Sequence, residues 1–443
     1  MGRRRRGSRL PSEPVEAVIS SLSHEGRGVT RIENKATFVH GALPGEKVSF
    51  KYTSIKRSHD EGSVVEVLES SELRVEPECP HYDICGGCSL QHMAADEQIK
   101  AKQGVLLENL EHLGKVAAEE VLPPLTNDSP WGYRRKARLG VKHVPKKGKV
   151  LVGFRERGSS FIADLSRCLV LHPKVGELID PLSKLIEGLS ISAKIPQIEV
   201  AMDDEQCVLI FRHLESFTTE DEAALAAFGE EHKLSIYLQP GGPDTVAPLT
   251  DAVELEYHLP SHDVRLNFLP NDFTQVNTEI NRKMVSRALQ MLDVQENERV
   301  LDLFCGVGNF TLPLAKEATE VVGVEGDAGL VQRARNNAAR NNLENVEFYT
   351  ANLYEDLAQE AWMKQTFDKA LLDPPRSGAF EVLEHLPKMG IKRIVYVSCY
   401  PGTLARDAGE LVNKHGYRMI SAGVMDMFPH TSHVESIALF EKS

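Results

Sequence analysis

The sequence predicts an α/β chain in three parts: a small β-barrel, a mixed α+β centre carrying a cysteine cluster, and a doubly wound α/β unit at the C-terminal end. Three observations predict it. Up to about residue 70, short alternating runs are separated by glycines, the pattern of a small barrel. Four cysteines, Cys79, Cys85, Cys88 and Cys168, fall in an asymmetric spacing in the first half. After about residue 270, β-branched runs alternate with helix-like runs, as in a parallel sheet with crossover helices. At 443 residues the chain has room for two or three domains. The expected division is a basic tail (1–11), a barrel (12–70), a central domain (71–270) and a catalytic domain (271–443).

The tail carries Arg3 to Arg6 and Arg9, and no apolar stretch follows, so it does not read as a secretory leader. No apolar run reaches the length of a membrane span, and a cytoplasmic protein is expected. The barrel strands are read at 15–19, 37–39, 47–52 and 64–68, with Gly26, Gly28, Gly41, Pro44-Gly45 and Gly62 as turns. The net charge of −13 argues against a polyanion partner, but the charge is segregated. Residues 131–157 hold ten Lys/Arg and one acid, Glu156, which points to local contact with a polyanion.

The cysteines read Cys79-x5-Cys85-x2-Cys88, then Cys168 after a long gap. Four thiolates hold either zinc or an iron–sulfur cluster. Zinc sites commonly pair two CxxC knuckles; the three-plus-one arrangement with the Gly86-Gly87 turn leans towards [4Fe–4S]. Such a group would staple residues 79–88 to a strand region around Cys168. Between them, Trp131-Gly132-Tyr133-Arg134-Arg135-Lys136 sets aromatic rings beside cations. That suits single-stranded RNA, whose bases stack on rings while cations take phosphates; a β-hairpin with a solvated basic face is the alternative. Residues 175–260 read as mixed α/β without legible chemistry, and Cys207 as a core residue.

In the last part, a helix is expected from Glu279 to Leu292. Strand 299–304 then feeds Cys305-Gly306-Val307-Gly308-Asn309 and a helix, a geometry that cradles nucleotides. The next strand ends in Glu325, 19 residues after Gly306, where an acid binds ribose hydroxyls. Leu312 stands where a dinucleotide fold has its third glycine, so a ligand without pyrophosphate, S-adenosylmethionine, fits better than NAD. Strand 346–350 leads to Asn352, and strand 369–372 leads to Asp373-Pro374-Pro375-Arg376. The run 395–397 ends at Ser398-Cys399-Tyr400-Pro401, presenting Cys399 at the C-terminal edge of the sheet, where α/β folds bind ligands. Two closing strands, 419–425 and 436–440, complete the methyltransferase version of a doubly wound sheet.

Asp-Leu-Phe-Cys-Gly-Val-Gly-Asn-Phe (302–310), Asp-Pro-Pro-Arg (373–376), Ser-Cys-Tyr-Pro (398–401) and His-Val-Glu-Ser (433–436) together resemble the RNA (uracil-C5)-methyltransferases. His24-Glu25-Gly26-Arg27-Gly28 and Ala42-Leu43-Pro44-Gly45-Glu46 resemble the TRAM domain, an RNA-binding barrel. With the four cysteines, the chain is similar to the branch that methylates U1939 of bacterial 23S ribosomal RNA. The resemblance implies Cys399 as nucleophile and Glu435 as general base. It implies Gln275, Phe304, Asn309, Glu325, Asn352 and Asp373 around S-adenosylmethionine, and Cys79, Cys85, Cys88 and Cys168 on a [4Fe–4S] cluster. The implied partner is 23S ribosomal RNA, with no obligate protein partner and a monomeric enzyme.

The chemistry accounts for these residue types. Uracil C5 is a poor nucleophile until a thiolate adds to C6, and a carboxylate must then take the C5 proton. The target base must also leave its stack. On residues alone, Asp426, His430 and His433 compete with Glu435 as base, and Cys305 with Cys399 as nucleophile. Two other functions stay open: the same chemistry on transfer RNA, whose enzymes typically lack the barrel and the cysteines, and a non-catalytic iron–sulfur RNA-binding protein.

Overall fold

The computed structural model describes residues 10–442; the arginines of the tail, Arg3 to Arg6 and Arg9, lie outside the described residues. Among those residues no helix is long and apolar enough to cross a membrane.

Six strands between Val15 and Glu69 form the first sheet, in the order Val15–Val18, Lys47–Ile55, Asp60–Glu69, Lys35–His40, Gly28–Ile32, Ser21–Leu22. The first and last of these are consecutive in the chain, and the Thr30 hydroxyl donates to Val18 O (2.9 Å), which ties the first strand to the far end of the sheet. Val39, Val48 and Phe50 fill the interior. Gly28, read in the sequence as turn punctuation, opens a further strand, Gly28–Ile32.

The barrel is fastened to the rest of the chain. Glu46, fully buried, accepts two bonds from the Arg74 guanidinium (2.5 and 2.8 Å) and one each from the N–H groups of Leu43 and Ser71. Burial pushes its carboxyl up, but Arg74 and these N–H groups outweigh it and hold the carboxyl below its ordinary value. Arg74→Met leaves that carboxylate buried without its cation and is expected to cost about 3–5 kcal/mol. Urea unfolding checks this: the variant unfolds at lower urea, and an unchanged midpoint would show that the pair holds nothing.

The second sheet, order Ala247–Pro248, Ser235–Gln239, Cys207–Arg212, Gln197–Met202, Lys136–Val144, Lys149–Gly153, forms the centre. Cys207 is buried in its core, as expected. The basic stretch is the hairpin of its last two strands, and many of its cations are paired inside the protein. Arg135 bonds Asp204, Arg138 bonds Glu199, and Lys147 and Lys149 bond Asp164. Tyr133 is buried, and its hydroxyl donates to Pro429 O (3.1 Å). Trp131 stacks on His430 with centroids 3.8 Å apart. These two rings pack within the protein rather than standing free for bases.

The third sheet carries the site. Its strands are β1 (Glu120–Val121), β2 (Arg299–Leu303), β3 (Glu320–Glu325), β4 (Val346–Thr350), β5 (Lys369–Leu372), β6 (Arg393–Ser398), β7 (Tyr417–Met425) and β8 (Glu435–Lys442). The order is β4-β3-β2-β5-β6-β8-β7-β1. Strands β2 to β6 are parallel, and β8 inserts antiparallel between β6 and β7. Central strands covered on both faces need continuous apolar runs, and Val300, Leu301, Ala370, Leu371 and Ile394 to Val397 are all buried. Helices α1 (Ala95–Asn109), α2 (Thr278–Leu292) and α3 (Pro401–Asn413) pack on it. Helix α1 and β1, expected within a central domain, belong to this sheet: α1 packs on α3 and β7, and β1 pairs with β7.

Candidate active site

The strand order reverses between the parallel strands β2 and β5, so the ligand crevice lies beyond their C-terminal ends. Beyond β2, Phe304 adopts φ +65° and Gly306 φ +55°. A positive φ is costly for a residue with a side chain, so the sharp turn at Phe304 is held from outside. The N–H groups of Phe304 and Cys305 both donate to Val324 O (2.9 and 3.1 Å). A Cβ built on Gly306 meets nothing within 4 Å, which leaves the backbone open to a ligand. Glu325, at the end of β3, accepts from Gly306 N–H (3.2 Å) and Asp327 N–H (3.0 Å). Its carboxylate is thereby fixed at the crevice mouth. Asn352 lies just past β4 and is exposed, and its side-chain oxygen accepts from Tyr354 N–H. The Tyr354 ring lies 5.9 Å from that of Phe304.

Phe304, Glu325, Asn352 and Asp373 therefore occupy consecutive strand ends. Asn309 differs: its amide exchanges two hydrogen bonds with Asn281 of α2 (2.9 and 3.1 Å) and accepts a third from Tyr257. Gln275 sits on the segment leading into α2, which the Arg135 N–H holds through Val276 O (2.9 Å). The sequence also passed over Asp302. It is fully buried and bonded by the Thr311 hydroxyl (2.5 Å), and its other oxygen has no partner among the described residues. Burial above all, with Asp373 and Glu325 nearby, pushes its carboxyl up to about 8, so it is protonated at neutral pH.

Strands β6 and β8 pair in a register that sets Ser398 opposite Ser436. Cys399 and Glu435 are the next residues along these two strands, and the Glu435 charge is felt at the Cys399 thiol. Cys399 is half-buried and Glu435 buried. Burial first, then the charges of Glu435 and Asp373, push the Cys399 thiol up to about 11, against an opposing pull from Arg376. Burial, then Asp373, likewise hold Glu435 well above its ordinary value, and burial pushes Asp373 up to about 7. Two carboxyls and a thiol thus lie together, Glu435 buried and Asp373 and Cys399 half-buried, with the exposed Arg376 beside them.

The rival residues have partners of their own or are enclosed. Asp426 is paired with Lys102 (2.7 Å), and His430 lies under Trp131. His433 hydrogen-bonds Arg376 (3.2 Å). Burial, with neighbouring cations, pulls both histidines down to about 4. Cys305 is buried at 4% exposure, its sulfur 3.1 Å from a Cβ built on Gly323.

Arg376 was quoted in the Asp-Pro-Pro-Arg motif but given no role. Its charge lowers both the Cys399 thiol and Glu435. A thiol near 11 is about 0.01% thiolate at pH 7, so iodoacetamide alkylation of Cys399 is expected to rise about tenfold per pH unit from 7 to 9. In Arg376→Ala the alkylation is slower at every pH in that range. Mass spectrometry of the Cys399 peptide reads both; a plateau below pH 8 would contradict the raised thiol.

The tRNA (Uracil-5-)-methyltransferase family matches residues 207–443, and the TRAM domain matches residues 11–67. The 23S rRNA (uracil(1939)-C(5))-methyltransferase RlmD of Alkalilimnicola ehrlichii is 58% identical over 444 residues, covering 100% of this chain and 99% of that protein. The chain belongs to the RNA uracil-C5 methyltransferases. The enzyme of the same name from Stenotrophomonas maltophilia is 56% identical over 98% of this chain and 99% of its own. The crystal structure of Pyrococcus abyssi tRNA (uracil-54, C5)-methyltransferase in complex with S-adenosyl-L-homocysteine matches with a TM-score of 0.75 and 25% identity. It covers 96% of this chain and 100% of its own. The uracil methyltransferase fold, the TRAM barrel and S-adenosylmethionine-dependent methylation of uracil C5 are thus established for this chain. That archaeal tRNA enzyme aligns along nearly the whole chain, so architecture by itself does not separate ribosomal from transfer RNA enzymes in this family, contrary to the sequence expectation; identity does.

The four cysteines converge on one cavity, lined also by Tyr82, Phe154 and Leu165. Cys168 sits in a loop rather than a strand, its N–H bonded to Gly176 O (2.9 Å). Among the described residues no three His, Cys, Asp or Glu surround one point closely enough for a single metal ion. Burial pushes Cys88 up to about 12 and Cys168 to about 11, each raised further by other cysteines of the set, so four thiolates here need positive charge among them.

Proposed function

We propose that this methyltransferase modifies C5 of the uridine in 23S ribosomal RNA that corresponds to U1939, with Cys399 as nucleophile and Glu435 as general base. The observation that carries the chemistry is the meeting of Cys399, just past the end of β6, with Glu435, at the start of the paired strand β8, beside the β2–β5 crevice. The substrate follows the relatives: identity of 58% over the full length to an enzyme named for that uridine, against 25% to the tRNA enzyme.

Phe304, Glu325, Asn352 and Asp373 would hold S-adenosylmethionine, with Gln275 reaching in from the segment before α2. Asn309 would act by fixing the turn to α2. Bound S-adenosylmethionine supplies the electrophilic methyl group that C5 takes up. The Cys399 sulfur adds to C6, which places the electron pair of the C5–C6 double bond on C5 and the C4 oxygen. Asp373, kept partly protonated by its site, donates to that oxygen and steadies the charge. After C5 is methylated, Glu435 takes the C5 proton; the electrons re-form the double bond and expel the Cys399 thiolate. Arg376 lowers the cost of each anionic stage.

A [4Fe–4S] cluster on Cys79, Cys85, Cys88 and Cys168 completes the reading. Each thiolate would bind a different iron, and the cavity that the four cysteines share is the observation that supports this reading. Cys88→Ser is expected to lose visible absorption, iron and acid-labile sulfide from anaerobically purified protein. Zinc bound in place of iron and sulfide would refute the cluster.

Methyl transfer from labelled S-adenosylmethionine to unmodified 23S ribosomal RNA, with bulk transfer RNA in parallel, tests the whole. Label in one uracil of 23S RNA alone is expected. Label in transfer RNA would keep the chemistry and overturn the substrate.

A further inference from the structure

The loop 426–434, which leads from β7 into Glu435, is held almost entirely from outside. Five consecutive carbonyls, of residues 426 to 430, each accept a hydrogen bond from another part of the chain. Asn127 donates to Asp426 O (2.8 Å), Asn277 to Met427 O (3.5 Å) and Lys102 to Phe428 O (2.9 Å). The Tyr133 hydroxyl donates to Pro429 O (3.1 Å), and the N–H groups of Ser89 and Leu90 both donate to His430 O (2.9 Å each). All but one of these donors lie between residues 89 and 133, just past Cys88.

Side chains reinforce the pattern. The Lys102 ammonium, 3% exposed, pairs with the Asp426 carboxylate at 2.7 Å. Gln98 accepts from the His430 N–H (2.8 Å) and donates to Met93 O (2.8 Å), while its amide nitrogen lies 3.3 Å from His430 Nδ1. Ser89 Oγ accepts from Ser432 N–H (2.9 Å). His430 itself has φ +65°, a conformation that a residue with a side chain keeps only when its surroundings over-determine it. The barrel closes the enclosure: a Cβ on Gly26 would stand 2.8 Å from Leu90 and 3.4 Å from Ser432.

A loop that only joined two strands would satisfy its carbonyls with water. This one is buried against the segment that follows the cysteines and against α1, and its last residue precedes the carboxylate that faces Cys399. We propose that residues 89–133 form a clamp that positions Glu435, with Gln98 and Lys102 as its positioning residues. The N-terminal half then sets the geometry of C5 proton removal as well as contributing to RNA binding. The clamp rests on the reading of Glu435 as the base.

The two halves of the reaction separate the clamp from a general structural role. Gln98→Ala and Lys102→Met are assayed on 23S ribosomal RNA carrying tritium at uracil C5. The readouts are S-adenosylmethionine affinity, covalent adduct on a denaturing gel, and tritium release. Both variants are expected to bind S-adenosylmethionine and form adduct as the unaltered enzyme does, and to release tritium about 10- to 100-fold more slowly, so that adduct accumulates. Lys100→Ala, on the exposed side of α1, is expected to change none of the three. Gln98→Ala removes no charge and decides the matter if Lys102→Met does not fold. Tritium release at the normal rate, or adduct formation slowed as much as release, would overturn the clamp. Glu435→Gln run alongside identifies the other failure: normal tritium release there would mean that the base itself is misassigned.

Discussion

Cys399→Ala is expected to abolish methyl transfer, by about 10⁴-fold or more, while S-adenosylmethionine binding is retained. Without a thiolate at C6, uracil C5 has no electron density to offer a methyl group, and no second thiol stands in. Cys305 is enclosed beneath the cofactor turn, and Cys207 lies in the core of another sheet. The cofactor side should be unaffected, because Cys399 lies at the end of β6, while Gly306 and Glu325 shape the turn beyond β2 and β3. Labelled methyl transfer and calorimetric titration of S-adenosylmethionine read the two effects separately. Methyl transfer by the alanine variant would sink covalent catalysis, and lost cofactor binding would show a damaged fold instead.

Glu435→Gln has a different signature. The amide keeps the shape of the side chain but takes no proton from C5. General bases contribute about 10²- to 10⁴-fold, and turnover should fall by that amount. Adduct formation should not fall with it. Glu435 is one of the charges that raise the Cys399 thiol, so its neutralisation favours the thiolate. The variant should therefore accumulate methylated RNA joined to Cys399, seen as a retarded band that persists in denaturant. Free RNA alone, with turnover intact, would return the search to the other acid of the pocket, Asp373.

What the sequence by itself determined is what local patterns encode. The short apolar runs 299–304, 321–325 and 395–397, each closed by a turn signal, read as buried strands. Gly306 and Pro401 mark where two of them turn, and this puts Phe304, Glu325 and Cys399 on one edge of a sheet. For the nucleophile the sequence left Cys305 beside Cys399, and the burial of Cys305 under the turn came only with the structure. The sequence left four candidates for the base, since that choice is a matter of register. Only the antiparallel insertion of β8 beside β6 brings Glu435 to the end of the strand that carries Cys399, and a register shift of one residue would turn its side chain to the other face. The aromatic–arginine stretch misled for a related reason. Trp131 and Tyr133 look like a stacking platform until their partners, about 300 residues away on the loop before β8, come into place. Lys102 and Asp426, 324 residues apart, leave no trace in either local sequence. Periodicity records which face of an element is buried, but not what it is buried against. The electrostatics of the pocket, the pairing of the basic hairpin and the enclosure of Glu435 all depend on that second fact, which the tertiary structure alone decides.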